Sequence, residues 1–208
     1  MMHSIKPSTH IKALLLLAAL ALATCGEVKT RDAAQDEEKE MPEADAPVES
    51  NESLDMKANM KRLAGLTPLT DAEFAAWKPD TVLGLPATNV NTNSPEDVAM
   101  FDITYYAGGE KIRLHIVDGA GKRGSQLTGP AHMIAVQDVD EKIPMGYIKT
   151  VRENGIKARE RHESANKEYQ LKLFYGNRLF VTLTTLNVGR ARTWQALEAF
   201  DLEALLPK

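Results

Sequence analysis

The sequence predicts an α+β fold, an antiparallel meander sheet backed by helices within one domain over residues 56–208. Segments with strand-like composition follow one another through short turns at Gly108-Gly109, Asn154-Gly155 and Gly176-Asn177. Helical patterns gather at the ends of this region. About 150 residues can bury a sizeable core, and consecutive strands flanked by helices are typical of an α+β domain.

Two helices are expected at the start of the domain. The first covers about Leu54 to Ala64. The second follows a capping box, in which the Thr70 side chain accepts from the backbone of Glu73 and the Glu73 carboxylate reaches back. This helix should run through Trp77 and end before Pro79, because the residue before a proline avoids the helical conformation.

Six later segments have the composition of β-strands. They are residues 100–107, 111–116, 147–152, 156–163, 169–175 and 178–186. From Lys111 to Ile116 polar and apolar residues alternate, which is the period of a strand with one buried face. Pro130 can open a short helix over residues 131–136, since proline fits the first helical turn.

The chain closes with a helix that carries Trp194, Leu197 and Phe200 on one side, followed by a turn over residues 201–206. An apolar stripe at this spacing is typical of a helix packed on a core. We therefore expect this helix to cover the sheet rather than to line a ligand groove.

Several short motifs are similar to those of a known fold group. They are Leu85-Pro86, Ile116-Val117-Asp118 before a glycine-rich loop, Gly146-Tyr147, the run from Tyr175 to Val181, and Asp201-Leu202. Together they resemble the PsbP-like α/β-sandwich group and uncharacterised bacterial envelope proteins over residues 66–206. The resemblance implies a sheet backed by helices. It implies no catalytic residues, because those proteins share a fold rather than an active site.

Residues 1–24 are typical of an export signal peptide. Lys6 and Lys12 give a positive start without an acidic residue, and residues 13–23 are apolar without interruption. This run is too short to cross a bilayer, which takes about 20 apolar residues. The segment is therefore expected to be removed and to lie outside the fold.

The end of that segment, Leu22-Ala23-Thr24-Cys25, resembles the lipobox of bacterial lipoproteins. The resemblance implies that Cys25 is acylated and attaches the processed chain to a membrane. Cys25 is also the only cysteine, so it cannot form an internal disulfide. Gly26 follows it instead of the aspartate associated with inner-membrane retention, which favours the outer membrane of a cell with two. Ala21-Leu22-Ala23 also fits a cleavage site, so a soluble secreted form is the alternative.

Residues 25–55 predict a disordered, extended tether. From Gly26 to Asp55 there are eleven acidic and three basic residues and no aromatic residue. A chain with so much like charge and so little to bury stays extended. The remainder, from Met56, has 20 basic and 18 acidic residues, a balance that does not suggest nucleic-acid binding.

The segment Gly119–Gly124 has the G-x-G-x-x-G pattern, which binds dinucleotides where it joins a strand to a helix in a βαβ unit. Here the preceding strand belongs to a hairpin and residues 125–130 should interrupt the helix, so we expect a flexible loop. His115, His132 and His162 lack the short spacings of a metal site, and we expect surface or packed positions for them. No cofactor is predicted.

Five basic side chains are candidates for a weak contact with an anion. Lys122 and Arg123 lie in the glycine-rich loop, while Lys157, Arg159 and Arg161 should point to one side of the strand 156–163. The acidic partner would be an anionic glycan, a lipid headgroup or the tether itself. The alternative is a solvated face balanced by neighbouring acids.

These features favour a membrane-anchored envelope lipoprotein with a non-catalytic accessory or partner-binding role. One alternative is a small-ligand carrier with a cavity between sheet and helices, for which an apolar pocket of about 300 Å³ would be evidence. Another is a hydrolase whose site is assembled from distant residues. The sequence offers that hydrolase no clear nucleophile, since Gly124-Ser125-Gln126 lacks the G-x-S-x-G elbow.

Overall fold

Nine strands form one antiparallel sheet in the residues that the computed structural model describes, 55–92, 95 and 97–207. The strands are β1 (Thr81–Val82), β2 (Leu85–Asn91), β3 (Met100–Ala107), β4 (Glu110–Asp118), β5 (Asp140–Ile143), β6 (Gly146–Glu153), β7 (Ile156–Glu163), β8 (Glu168–Tyr175) and β9 (Leu179–Leu186). Their spatial order is β1-β2-β3-β4-β9-β8-β7-β6-β5. The expected signal peptide, Cys25 and all of the expected tether except Asp55 lie outside the described residues.

Five α-helices and a final 3₁₀ turn accompany this sheet in the described part of the chain. They are α1 (Met56–Ala64), α2 (Asp71–Trp77), α3 (Gly121–Leu127), α4 (Gly129–Val136), α5 (Arg190–Glu198) and the turn Leu202–Leu205. The predicted α+β class with an antiparallel sheet is therefore confirmed. Among the described residues, no helix is long and apolar enough to span a membrane.

The sheet consists of two meanders joined at its centre. Strands β1 to β4 pair in chain order, and strands β5 to β9 do the same. The two halves meet where β4 pairs antiparallel with β9, from Lys111 opposite Leu186 to Asp118 opposite Leu179. The connection through α3 and α4 therefore carries the chain from the middle of the sheet to its far edge.

The predicted capping box of the second helix is confirmed, and the first helix has a cap that was not predicted. The Asp55 carboxylate accepts the backbone N–H of Lys57 at 2.9 Å and begins α1. The hydroxyl of Thr70 accepts the backbone N–H of Glu73 at 3.2 Å, and the Glu73 carboxylate accepts the N–H of Thr70 at 2.7 Å. All three bonds satisfy N–H groups that a helix leaves without internal partners.

The six predicted strands correspond to β3, β4 and β6 to β9, while β1, β2 and β5 were not predicted. Each missed strand has a weak sequence pattern: β1 has two residues, β2 contains Pro86, and β5 opens with Asp140-Glu141-Lys142. Strand β5 is an edge of the sheet, where charged side chains discourage pairing with another chain. Its polarity therefore reflects its position at the edge. For the same reason, β5 lacks the alternation of polar and apolar residues by which a strand is predicted.

Alternate residues of the central strands form a buried surface, which we call the core face. It includes Ile103, Tyr105, Ile112, Leu114, Ile116, Leu171, Leu173, Val181 and Leu183. The face is covered by α2, α5 and the residues after α5: Phe74 stacks on Phe101 with ring centroids 5.0 Å apart, and Phe200 lies 5.7 Å from Tyr105. These side chains occupy the space between sheet and helices in which a carrier would hold its ligand.

The apolar stripe predicted for the last helix is part of this core. Trp194 and Leu197 of α5 and Phe200 just beyond it are all buried. The prediction that they form core packing rather than a groove is confirmed.

The expectation of a flexible loop at Gly119–Gly124 is wrong, because α3 begins at Gly121, three residues after β4 ends. Gly121 has a φ of +80°, a value that favours glycine and lets the chain turn into the helix. A Cβ at Gly124 would lie 2.6 Å from the carbonyl oxygen of Asp118. These glycines thus serve a tight strand-to-helix turn, in an antiparallel sheet rather than in a βαβ unit.

Candidate functional site

On the side of the sheet opposite the core face, α4 packs over Phe174 through His132, with ring centroids 4.6 Å apart. Part of the remaining surface on that side is polar, and we call this part the polar face. One row of residues, joined by the pairing of six strands, crosses it from β6 to β3: Thr150, Arg159, Lys172, Thr182, His115 and Asp102. The next row contains Arg161, Gln170, Thr184, Arg113, Thr104 and Asn89. Hydroxyl, amide and charged groups therefore stand side by side across about 24 Å, at about 4.8 Å per strand.

Asp102 organises the β3–β4 part of this face. Its Oδ1 accepts from Arg113 Nη2 at 2.8 Å, and its Oδ2 accepts from His115 Nδ1 at 2.9 Å. Burial alone would raise the pKa of Asp102, but the bonds with His115 and Arg113 outweigh it and hold the pKa below its usual value. The contact also orients His115, whose Nε2 makes no hydrogen bond with any described residue.

A depression of about 280 Å³ lies next to Asp102 on the polar face. It is lined by Asn89, Asn91, Asp102, Thr104, Lys111 and Arg113. All six side chains can form hydrogen bonds, and two are cationic. The depression suits a polar ligand rather than an apolar one.

The three cations predicted on β7 share the polar face but differ in their partners. Lys157 Nζ lies 2.7 Å from Asp138 Oδ1 and donates to the carbonyl oxygen of Ala135 at 2.7 Å. Arg161 pairs with Glu163 at 2.7 Å. These two charges are already balanced, as the alternative of a solvated face expects.

Arg159 is different from its two neighbours on β7. It is half-buried, and its Nε is a buried donor with no hydrogen-bond partner in the described structure. Lys172 stands opposite it on β8. Among the described residues, neither Arg159 nor Lys172 forms an ion pair with a carboxylate. An unsatisfied buried donor costs about 1–3 kcal/mol, so an anion bound here would satisfy a group that the protein leaves open.

Lys122 and Arg123 lie on α3, outside the sheet, and both are exposed. The structure therefore divides the predicted anion contacts into a helical pair and a sheet group. Lys172 and Arg113, which the sequence did not single out, belong to the polar face with the sheet group. Their alternation with apolar residues was the available signal. The pairing of β7 with β8 places Lys172 beside Arg159, and the pairing of β4 with the distant β9 places Arg113 on the same face.

The other two histidines of the domain are packed. The Nδ1–H of His132 donates to the carbonyl oxygen of Thr128 at 2.9 Å, so its Nε2 accepts from Asn59 Nδ2 at 3.0 Å. The ring of His162 stacks on Tyr169 with centroids 4.2 Å apart. Within the described ranges, no three metal-ligating side chains come together.

A buried carboxylate that the sequence did not reveal lies on the core face. Glu160 is 0% exposed and accepts from Tyr147 (2.6 Å), Arg190 Nε (3.0 Å) and Trp194 Nε1 (2.8 Å). Burial raises its pKa, but the bonds with Arg190, Tyr147 and Trp194 outweigh it and lower the pKa below the ordinary 4.5. Because Arg190 and Trp194 lie on α5, their hydrogen bonds to Glu160 hold α5 against β7.

A second surface depression, of about 750 Å³, lies between α2 and the C-terminal residues. Arg178 reaches it but is committed to Asp118, with Nε–Oδ1 and Nη2–Oδ2 distances of 2.7 Å each. This buried pair also receives the backbone N–H of Leu69 at Asp118 Oδ2, at 2.8 Å. The pair therefore holds the segment before α2 against the sheet.

The chain matches no protein-family model, and no curated protein or solved structure is significantly similar to it. The likeness to the PsbP-like group and to the lipobox of lipoproteins stays a prediction from the sequence motifs.

Proposed function

We propose that this chain is a lipid-anchored protein of a bacterial cell envelope, attached through Cys25, and that its domain binds an extended anionic glycan on the polar face. The proposed role is binding rather than catalysis. The sequence supports the anchor through the export signal and the lipobox-like motif that ends at Cys25. The polar face supports the binding role.

The observation that carries the binding role is the orphaned Arg159 Nε beside Lys172. Two adjacent cations without carboxylate partners attract an anion, and a guanidinium donates well to sulfate, phosphate or carboxylate groups. The half-burial of Arg159 strengthens such a contact, because solvent screens it less than it screens an exposed pair.

A glycan is favoured as the bearer of the charge because of the groups around Arg159. Thr182, Thr184 and Gln170 present hydroxyl and amide groups next to the cations, and these groups match the hydroxyls of a sugar chain. The row of about 24 Å across six strands suits a linear ligand better than a compact one. The depression at Asp102 and Arg113 would bind one polar unit of the same glycan.

The partner can be identified by capture from intact envelopes with the natively anchored protein as bait. A matched bait with Arg159→Gln and Lys172→Gln removes both charges while keeping polar side chains that can form hydrogen bonds. We expect an anionic glycan in the first capture and its loss from the second. Identical captures would contradict the proposed site, and an N-terminal peptide without acyl groups on Cys25 would contradict the anchor.

A further inference from the structure

Three helices, α1, α3 and α4, pack together at one end of the sheet, and we call them the three-helix group. Asn59 of α1 and His132 of α4 share a 3.0 Å hydrogen bond. Thr128, between α3 and α4, donates its hydroxyl to the carbonyl oxygen of Ser125 at 2.7 Å. The group is therefore one connected unit rather than three separate helices.

The three-helix group is the cationic part of the domain. Residues 56–65 and 121–137 contain five basic residues and no acidic one: Lys57, Lys61, Arg62, Lys122 and Arg123. The rest of the range 56–208 has 15 basic and 18 acidic residues. Among the described residues, Lys57, Lys61 and Lys122 are exposed and form no ion pair. The domain as a whole is nearly neutral, but the three-helix group is positively charged.

The same group exposes apolar side chains. Of the seven exposed large hydrophobic residues in the described part of the chain, four belong to it: Met56, Leu127, Met133 and Val136, each 40–48% exposed. Cations mixed with exposed apolar side chains on helices are typical of a surface that lies in the headgroup region of a bilayer.

The chain enters the domain at this group. Asp55 caps α1 directly, so the segment that leads back to Cys25 is continuous with the first helix of the three-helix group. We propose that the three-helix group docks on the anionic phospholipid surface to which Cys25 is attached, an inference that rests on the proposed lipid anchor.

The acidic segment between Gly26 and Asp55 is the competing occupant, because it carries eleven acids. It has no aromatic residue and few large apolar ones, so it matches the lysines but not the exposed Met56, Leu127, Met133 and Val136. A phospholipid surface matches both, with anionic headgroups for the cations and acyl chains for the apolar side chains.

The test uses the full processed protein in vesicles of phosphatidylcholine alone or of phosphatidylcholine with phosphatidylglycerol. Amide hydrogen exchange is measured in α1, α3 and α4, and the intact mass records acylation of Cys25. We expect exchange in these helices to slow by about fivefold or more on the anionic vesicles, since one lysine near such a surface contributes about 1 kcal/mol. Unchanged exchange on an acylated protein would overturn the docking, whereas a protein without acyl groups would overturn the anchor.

Two charge-reversal variants sharpen the test. Lys57→Glu with Lys122→Glu removes charge from the three-helix group, and both changes fall in first helical turns, where a carboxylate favours the helix. Lys142→Glu with Lys167→Glu makes the same change in charge on β5 and on the turn before β8. Loss of the protection in the first variant only is the expected result. Equal loss of protection in both variants would overturn the docking. The docking would also be overturned if the protection persists on vesicles without anionic lipid and disappears when the acidic residues of 26–55 are neutralised, because the acidic segment would then be the occupant.

Discussion

Arg159 and Lys172 stand directly opposite each other on β7 and β8, and no described carboxylate pairs with either. Like charges at such cross-strand positions destabilise a sheet. The protein keeps them on a face whose remaining charges are largely paired, as Lys157 and Arg161 are. The free protein therefore carries a like-charge repulsion between Arg159 and Lys172 that a bound anion would relieve.

The first prediction is that Lys172→Gln stabilises the free protein. Removing one of two facing cations should raise the free energy of unfolding by about 0.5 kcal/mol, measured as a shift of the urea midpoint. The gain should shrink in about 1 M NaCl, where charges are screened. Lys142→Gln, at an exposed position on β5, is the control and should change little. A less stable Lys172→Gln protein would contradict this account of the pair.

The second prediction is that Glu160→Gln destabilises the domain by about 3 kcal/mol, the usual effect of breaking a buried ion pair. Glutamine keeps the volume, but its NH₂ group would oppose one of the three donors from Tyr147, Arg190 and Trp194. Chemical unfolding measures the difference. The control Glu163→Gln breaks a more exposed pair with Arg161 and should cost less than about 1 kcal/mol. Equal effects of the two changes would argue against a fastening role for Glu160.

The same pair of proteins gives a pH dependence. Because the folded pKa of Glu160 lies below the ordinary 4.5, the unfolded chain takes up the proton first as the pH falls. The contribution of Glu160 is therefore complete above 4.5 and is lost as the pH falls through the folded pKa. The advantage of wild type over Glu160→Gln should shrink in that range, and a difference that stays constant there would contradict the assignment.

The third prediction concerns the glycine-rich segment. Gly124→Ala should destabilise the domain by about 2 kcal/mol, because the new Cβ would lie 2.6 Å from the Asp118 carbonyl oxygen and the turn would have to shift. At Gly129 a Cβ meets nothing within 4 Å, so Gly129→Ala should be neutral or slightly stabilising. Thermal unfolding of both variants checks this. Similar midpoints would mean that the segment tolerates bulk as a loop does.

The fourth prediction concerns Cys25. Cys25→Ser should leave the protein released from the membrane fraction or unprocessed, because serine cannot carry the thioether-linked lipid of a lipoprotein. Thr24→Ala, which puts one of the small residues usual before the lipobox cysteine (Gly, Ala or Ser) at that position, should retain acylation and membrane attachment. The measurement is fractionation with incorporation of a labelled fatty acid. A Cys25→Ser protein that is still lipid-labelled and membrane-bound would refute the anchor.

Local signals account for the part of the fold that was predicted. The capping box of Thr70 and Glu73 lies within four residues, and the alternation from Lys111 to Ile116 shows the two faces of β4 without reference to any other strand. Interactions of short range in the chain determine both. They could therefore be read without knowledge of the tertiary structure.

The missed features depend on segments that are distant in the sequence. Strand β4 pairs with β9, more than 60 residues later, and this pairing places Arg113 beside Thr184 on the polar face. The burial of Glu160 depends on α5, which supplies Arg190 and Trp194. The sequence placed Arg159 on the correct side of its strand, but its lack of a partner follows only from the neighbouring strands.

The most direct test of the binding claim is a titration of the isotopically labelled processed protein with dextran sulfate, with neutral dextran as the control, followed by NMR. We expect shifts in β4, β7, β8 and β9 with the sulfated polymer only, and a Kd about tenfold weaker for Arg159→Gln with Lys172→Gln, since one hydrogen bond to a charged group contributes about 1.5 kcal/mol. Lys142→Gln with Lys167→Gln should bind as wild type does. Equal affinity of both double variants, or shifts confined to residues outside the polar face, would contradict the account.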